Sequence, residues 1–308
     1  MAVPRERTVG PRRACSRLPR APQDTRVTVV VITRDRAREL AHALPRLLAL
    51  EERPRVIVVD NASRDDTVES VRRLFPAVSL VALERNLGAA ARNIGCGCAR
   101  TPYVAFSDDD SWWSDGALRR AADVLDAHPR LALVAARVLV GPGERLDPTC
   151  ALMAESPLER APELPGPSVL GFLACGAVVR RCAFQAVGGF HPRYGVGGEE
   201  QLLSVDLAEA GYQLAYVAEV TSHHHPARRE DRSSERRTSV MRNDLWFAWL
   251  RRPLPGALRQ TASLAASALR ATPARRALAR ALLGAPWVLA ERRPVSGALE
   301  RDLRRLRG

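Results

Sequence analysis

The stretch Tyr103-Val104-Ala105-Phe106-Ser107-Asp108-Asp109-Asp110 decides how this chain is read. An apolar run of strand length ends in three consecutive carboxylates. Adjacent carboxylates repel one another, and a folded chain keeps such a cluster most readily where a cation neutralises it. Hard divalent cations take oxygen ligands, and Mg²⁺ commonly uses one or two carboxylates together with substrate phosphates. The triplet therefore points to a metal–phosphate site at the rim of a sheet. The competing reading is a solvated acidic turn capping the next helix, where Asp and Ser are favoured. The triplet by itself does not separate the two; the segments around it do.

Upstream, Val27-Thr28-Val29-Val30-Val31-Ile32 is β-branched and apolar on both faces, as in a buried parallel strand. Arg36 to Leu50 then carries Leu40, Ala43, Leu44, Leu47 and Leu48 at helical spacing. Val56 to Val59 is a second buried strand ending at Asp60, and Asn61-Ala62-Ser63 is a turn. Asp65 or Asp66 can cap a helix running through Leu74. Val78 to Leu83 reads as a third strand, and Gly88 to Ala99 as a helix of small residues. After the triplet, Asp115 to His128 reads as a helix and Leu131 to Val140 as a strand. Strands alternating with helices imply a mostly parallel sheet covered on both faces. Ligands bind such sheets beyond the carboxyl ends of the strands. Thr33-Arg34-Asp35, Asp60-Asn61 and Asp108 to Asp110 all collect at those ends, which is the pattern of a nucleotide site.

The second half is less regular. Residues 141–168, rich in Pro, Glu and Gly, read as a long loop. Leu170 to Arg180 contains a short strand at Val178-Val179, and Gly188 to Gly198 is glycine-rich and mobile. Glu199-Glu200 opens a helix ending at Gly211, and Leu214 to Val220 is a strand followed by His223-His224-His225. The expected organisation is a disordered basic leader over 1–26, an α/β domain over 27–227 and a basic helical appendage over 228–308.

With 308 residues, 46% of them hydrophobic, a substantial core is available. A sequence pI near 10.8 invites a nucleic-acid reading. The distribution of charge argues against it, because the leader and the C-terminal segment carry net +5 and +12 while the middle carries −4. No lysine occurs, so all 47 basic residues are arginine. Six cysteines form no CxxC pair, and Cys96-Gly-Cys98 is too close and isolated for a zinc site. They read as reduced thiols of a cytoplasmic protein. No apolar leader and no apolar stretch of spanning length is visible. No P-loop or GxGxxG occurs, which lowers the odds of a kinase or dehydrogenase. In the C-terminal segment, Leu245-Trp246-Phe247-Ala248-Trp249-Leu250 precedes two arginine-containing stretches, Leu258 to Leu269 and Ala274 to Leu289. Such helices either lie peripherally on an anionic bilayer at the inner membrane face or pack on the core with a solvated arginine face.

The order of motifs resembles the family 2 glycosyltransferases, which adopt the GT-A fold. The matching segments are VVVITRDR (29–36), VIVVDNASRDDT (56–67), RNLGAAARNIG (85–95), YVAFSDDDSWW (103–113), VGGF (187–190), GGEEQLLSVDLAEAGY (197–212) and the three histidines. The resemblance implies an inverting, metal-dependent transfer of a hexose-type sugar from a nucleotide-diphosphate sugar to an acceptor hydroxyl, lipid-linked or glycan, as in cell-envelope or glycan biosynthesis. It places Thr33, Arg34 and Asp60 at the nucleoside and Arg92 and Asn93 beside the nucleotide. Asp108 and Asp109 face the donor, and Asp110 with Asp108 holds Mg²⁺ or Mn²⁺. One of His223, His224 and His225 completes the metal region, with His224 favoured. Glu200 becomes the general base with Glu199 beside it, and Trp112, Trp113, Gly176 and Gly198 fall in the acceptor region.

One departure matters. The family usually has Glu-Asp followed six positions later by Arg, whereas this chain has Glu199-Glu200 and Asp206. Two alternatives remain. A nucleotidyltransferase of related architecture needs a glycine-rich phosphate loop after the first strand, which Thr33-Arg34-Asp35-Arg36 lacks. A non-catalytic binding protein with a degraded site is supported by Glu200 and Asp206 and opposed by the intact triplet.

Overall fold

The computed structural model describes residue 24, residues 26–226 and residues 233–306. The expected leader lies outside the described residues apart from Asp24 and Arg26, as do residues 227–232 at the start of the C-terminal segment.

The first half alternates as its sequence demands: β1 (Val27–Thr33), α1 (Ala37–Ala49), β2 (Arg55–Asp60), α2 (Thr67–Leu74), β3 (Ser79–Ala82), α3 (Ala91–Cys98), β4 (Tyr103–Asp108), β5 (Ser111–Trp113), α4 (Ala117–Ala127) and β6 (Leu131–Val140). Residues 141–168, expected as loop, contain β7 (Arg145–Leu146) and α5 (Pro148–Ala154). Asp147 caps α5 by accepting from Thr149 N at 2.8 Å, with Pro148 at the first helical position. Then follow β8 (Ala177–Arg180), α6 (Arg181–Ala186), α7 (Glu199–Glu209) and β9 (Gln213–His224). The small-residue helix opens with a 3-10 turn at Gly88–Ala90 rather than as one α-helix.

The strands form one sheet in the order β3-β2-β1-β4-β8-β6-β9-β5, with β7 on β6. β3, β2, β1 and β4 are parallel to one another. β8 runs antiparallel to β4 and β6, and β9 is parallel to β6. Period-two alternation divides the core between the faces. Val29 and Val31 of β1 join Leu40, Leu44 and Leu47 of α1 and Leu118 of α4 on one side. Val30 joins Cys96 of α3, Phe184 of α6 and Leu203 of α7 on the other. β1 is thus buried on both faces, which is why its sequence is an unbroken β-branched run.

The C-terminal segment comprises α8 (Ser233–Arg251), α9 (Leu254–Ala268), α10 (Thr272–Leu283), α11 (Ala285–Ala290) and α12 (Gly297–Arg305). Its helices are not held apart from the α/β part. Leu245, Trp246, Phe247 and Leu250 of α8 share a core with Tyr194 and with Leu202 and Val205 on the outer side of α7. Arg251 closes a two-point ion pair with Asp206 of α7, its Nη2 donating at 2.9 Å. A second pair, Arg252 with Glu300, is buried within the helices at 2.7 Å. No helix of the described residues is long and apolar enough to cross a membrane.

Candidate active site

Strand register assembles the polar rim. Thr33 of β1 stands opposite Asp60 of β2, and Ile32 stands opposite Asp108 of β4. The chain turns immediately after Asp108, where Ser111 Oγ accepts from Asp108 N at 2.7 Å and fixes the start of β5. The three carboxylates therefore diverge. Asp109 turns inward, is 7% exposed, and accepts from Thr33 Oγ1 at 3.0 Å. Burial pushes its carboxyl up to about 7, against the pull of Arg36 and with the repulsion of Asp110 and Asp108. Arg36 reaches both inner carboxylates: Nε lies 2.8 Å from Asp109 Oδ1 and Nη2 donates to Asp110 Oδ2 at 2.6 Å. Asp108 takes its charge-assisted bond from the buried Arg92, whose guanidinium lies 5.5 Å from the Phe190 ring centroid.

His223 and His224 end β9 rather than following it, His225 comes directly after, and alternation along the extended chain sorts them. His224 pairs across to Ser111, and its Nε2 lies 3.3 Å from Asp110 Oδ1. Burial alone would lower its pKa, but the bond and charge of Asp110, with the charge of Asp108, raise it. Asp108, Asp110 and His224 bring one ligand atom each to within 4.8 Å of one another. His223 and His225 point the other way: His223 Nδ1 is 2.8 Å from Glu144 Oε2 and its Nε2 is 2.8 Å from Ser114 Oγ, while His225 Nε2 lies 3.7 Å from Glu144 Oε1.

Across the rim stands the start of α7. Gly197 and Gly198 have φ of +104° and +85°, a region that disfavours side chains. A side chain at Gly197 would also strike Val240 of α8. Glu199 is buried and holds the loop by accepting from Gly197 N. Glu200 is pushed up to about 8, first by burial and then by the charge of Glu199; Arg92 and Asp108 also act on it, which places it at the same rim. Beside this loop α8 lines a groove of about 510 Å³ with Arg236, Arg237, Val240 and Met241.

The family model of glycosyl transferase family 2 matches residues 28–188. The chain belongs to this family. It is a glycosyltransferase with a GT-A fold carrying a helical C-terminal region. The N-acetylglucosaminyl-diphospho-decaprenol L-rhamnosyltransferase of Mycobacterium tuberculosis is 26% identical over 281 residues, spanning 77% of this chain and 90% of that protein. Among solved structures, the mannosyltransferase PcManGT from Pyrobaculum calidifontis, in complex with GDP-Man and Mn²⁺, superposes with a TM-score of 0.56 at 21% identity, covering 93% of this chain and 89% of that one. TarS of S. aureus in complex with UDP-GlcNAc gives 0.55 at 19% identity, covering 84% and 72%. These likenesses are of fold.

Within the glycosyltransferase, several residues expected at the site also make structural contacts. Trp113 is 1% exposed and belongs to the core against α1 and α4, so it offers no face to an acceptor sugar. Trp112 is stacked on His223 and lies under Arg46 at 4.4 Å. Gly176 is a packing position, where a Cβ would meet Val138 of β6 at 2.6 Å. Asn93 spends both ends of its amide on the backbone of Phe190, accepting at 2.9 Å and donating at 2.8 Å, and so ties α3 to the glycine-rich loop. Asp60 accepts from Ser63 N at 2.9 Å and orders the turn after β2. Arg34 sits beside Asp35 at 3.5 Å. Sequence reasoning gave no role to Arg36, which joins two of the three acids; Asn61, placed at the rim with Asp60, holds the next loop by accepting from Leu87 N at 3.0 Å and donating to Gly88 O at 3.1 Å. Arg36 sits beside residues singled out from the sequence, and a count of buried charges needing partners would have found it.

Proposed function

We propose that the glycosyltransferase moves a hexose-type sugar from a nucleotide-diphosphate donor to an acceptor hydroxyl by single displacement with inversion. The convergence of Asp108, Asp110 and His224 opposite Glu200 carries this reading. The two carboxylates are oxygen donors suited to Mn²⁺ or Mg²⁺, and the imidazole nitrogen of His224 favours the transition metal Mn²⁺ of the two. Arg36 holds Asp110 together with Asp109, and Arg92 holds Asp108, which fixes the orientation of each carboxylate. A divalent cation at these residues supplies charge neutralisation to the diphosphate leaving group.

Glu200 takes the acceptor proton as the acceptor oxygen bonds to the anomeric carbon and the carbon–diphosphate bond breaks. A base with a pKa near the working pH suits that task. Glu199, locked onto the Gly197 backbone, tunes its neighbour. Thr33, Arg34, Asp60 and Asp109 form the nucleoside side of the rim. The groove lined by Arg236, Arg237, Val240 and Met241 admits the acceptor, and lipid-linked chemistry is favoured because a relative of nearly equal span is named for a diphospho-decaprenol acceptor. On this reading the protein works in the cytoplasm, in peripheral contact with the membrane, with residues 27–227 as its catalytic unit. Donor hydrolysis measured with a nucleotide-sugar panel, with Mn²⁺ and with chelator, tests it. No hydrolysis and no binding of any nucleotide sugar by the wild type, or wild-type behaviour of Asp110→Ala, would sink it.

A further inference from the structure

Six of the twelve exposed large hydrophobic side chains among the described residues fall in one short stretch: Leu254, Leu258, Leu269, Leu282, Leu283 and Leu289. Burial in the protein does not explain them, since Leu269 and Leu283 are each 84% exposed. On α9 they are ordered. Leu254, Leu258, Ala262, Ala265 and Leu269 follow one another at spacings of three and four residues, a single stripe along the helix. The buried face of the same helix is Ala257, Leu264 and Ala268. The stripe is therefore a second apolar face, turned away from the core.

The charge around it is one-sided. Residues 245–290 contain no Asp or Glu, while Arg259, Arg270, Arg275 and Arg276 are exposed among the leucines. A second copy of this chain would bring arginine against arginine. A nucleic acid would satisfy the arginines and leave the leucines in water. An anionic bilayer answers both, with headgroups for the arginines and an acyl boundary for the leucines. We propose that α9, α10 and α11 form a docking face for an anionic membrane surface, entered by these leucines.

The placement has a consequence for the reaction. α8 shares a core with α7, and Arg251 clasps Asp206 on α7. The docked helices therefore hold the helix that carries Glu199 and Glu200 at a fixed aspect to the bilayer. That consequence rests on the lipid-linked acceptor proposed above; the docking face itself does not.

The full chain is sedimented with vesicles of phosphatidylcholine alone and of phosphatidylcholine with phosphatidylglycerol, and donor hydrolysis is measured in parallel without vesicles. Binding is expected to the anionic vesicles, weakening as ionic strength rises. Leu282→Ser with Leu283→Ser should lower partition at least tenfold and leave donor hydrolysis and the melting midpoint unchanged. Arg270→Gln, Arg275→Gln and Arg276→Gln together should remove the preference for anionic over neutral vesicles. The proposal is overturned if the wild type stays in the supernatant, if the leucine variant sediments like wild type, or if those leucines instead support a concentration-dependent dimer. Vesicle binding without donor hydrolysis would overturn the glycosyl-transfer reading and leave the docking face standing; the reverse overturns the docking face alone.

Discussion

Replacing Glu200 by Gln tests the chemistry most directly. The substitution keeps the shape of the side chain and removes the proton acceptor. Loss of a positioned general base costs about 10²–10⁴-fold in rate, so acceptor-dependent transfer should fall by that range while donor affinity by calorimetry stays within about threefold. The pH dependence is the sharper half of the test. Burial and the neighbouring Glu199 charge push Glu200 up to about 8. Its ionised form is the active one, so the rate must rise with pH. With the carboxyl raised well above the ordinary Glu range, kcat/KM for the acceptor should climb between pH 7 and pH 9, where an ordinary carboxylate would give a plateau. Glu199→Gln removes the charge that disfavours ionisation of Glu200, so the rising limb should move to lower pH. The two carboxyls interact, and the limb reports the pair rather than one group. A flat profile from pH 6.5 to 9.5 in the wild type, or transfer by Glu200→Gln within threefold of wild type, would refute Glu200 as the base.

Three further outcomes follow from the geometry. Glu300→Gln leaves the buried Arg252 without its carboxylate and should cost about 3–5 kcal/mol by denaturant unfolding; although burial pushes Glu300 up, Arg252 and then Arg304 hold it below the usual range, so its contribution is present above the ordinary Glu pKa and is lost as acid titrates it, and an unchanged midpoint would show the pair to be idle. Asn93→Ala removes both bonds to Phe190 and should destabilise by about 1–3 kcal/mol while raising the protease sensitivity of residues 187–198; wild-type stability would remove that role. Val240→Asp should raise KM for the acceptor and leave vesicle-free donor hydrolysis unchanged, and an equal loss of both would move the acceptor away from the α8 groove.

Much of this was legible in the residues because local pattern and tertiary need coincide there. The run Val27 to Ile32 has one stable use, a strand covered on both faces, and it takes that use. The triplet ends β4, and register with β1 brings Thr33 beside it. Where reading failed, the deciding interaction was distant in sequence. β5 is three residues long and has no periodicity of its own; it exists because it pairs with β9. That pairing buries Trp113, turns Trp112 against His223, and sets His224 beside Asp110 by alternation, none of which spacing along the chain encodes. Asn93 looked like a ligand contact because a short amide near a nucleotide site is chemically apt, but its partner is a backbone nearly a hundred residues away.

Asp206 shows why a departure from a family pattern need not mean decay. In isolation an acid in place of an expected arginine adds a fourth carboxylate to a helix that already carries Glu199, Glu200 and Glu209. The fold supplies the missing positive charge from the other direction. Arg251, at the end of α8, meets Asp206 with two nitrogens, and the apolar residues just before it, Leu245 to Leu250, pack on the outer side of the same helix. The charge partner has been moved from α7 to the C-terminal helices. Reversing the charge on α7 therefore ties this helix to the segment that carries the exposed leucines. The two features that looked least like the family, an acid at 206 and an arginine-rich C-terminal segment, are two halves of one contact. A degraded site would leave Asp206 an uncompensated charge beside an acidic helix end; here it is a joint between the helix that carries Glu199 and Glu200 and the helices that carry the exposed leucines.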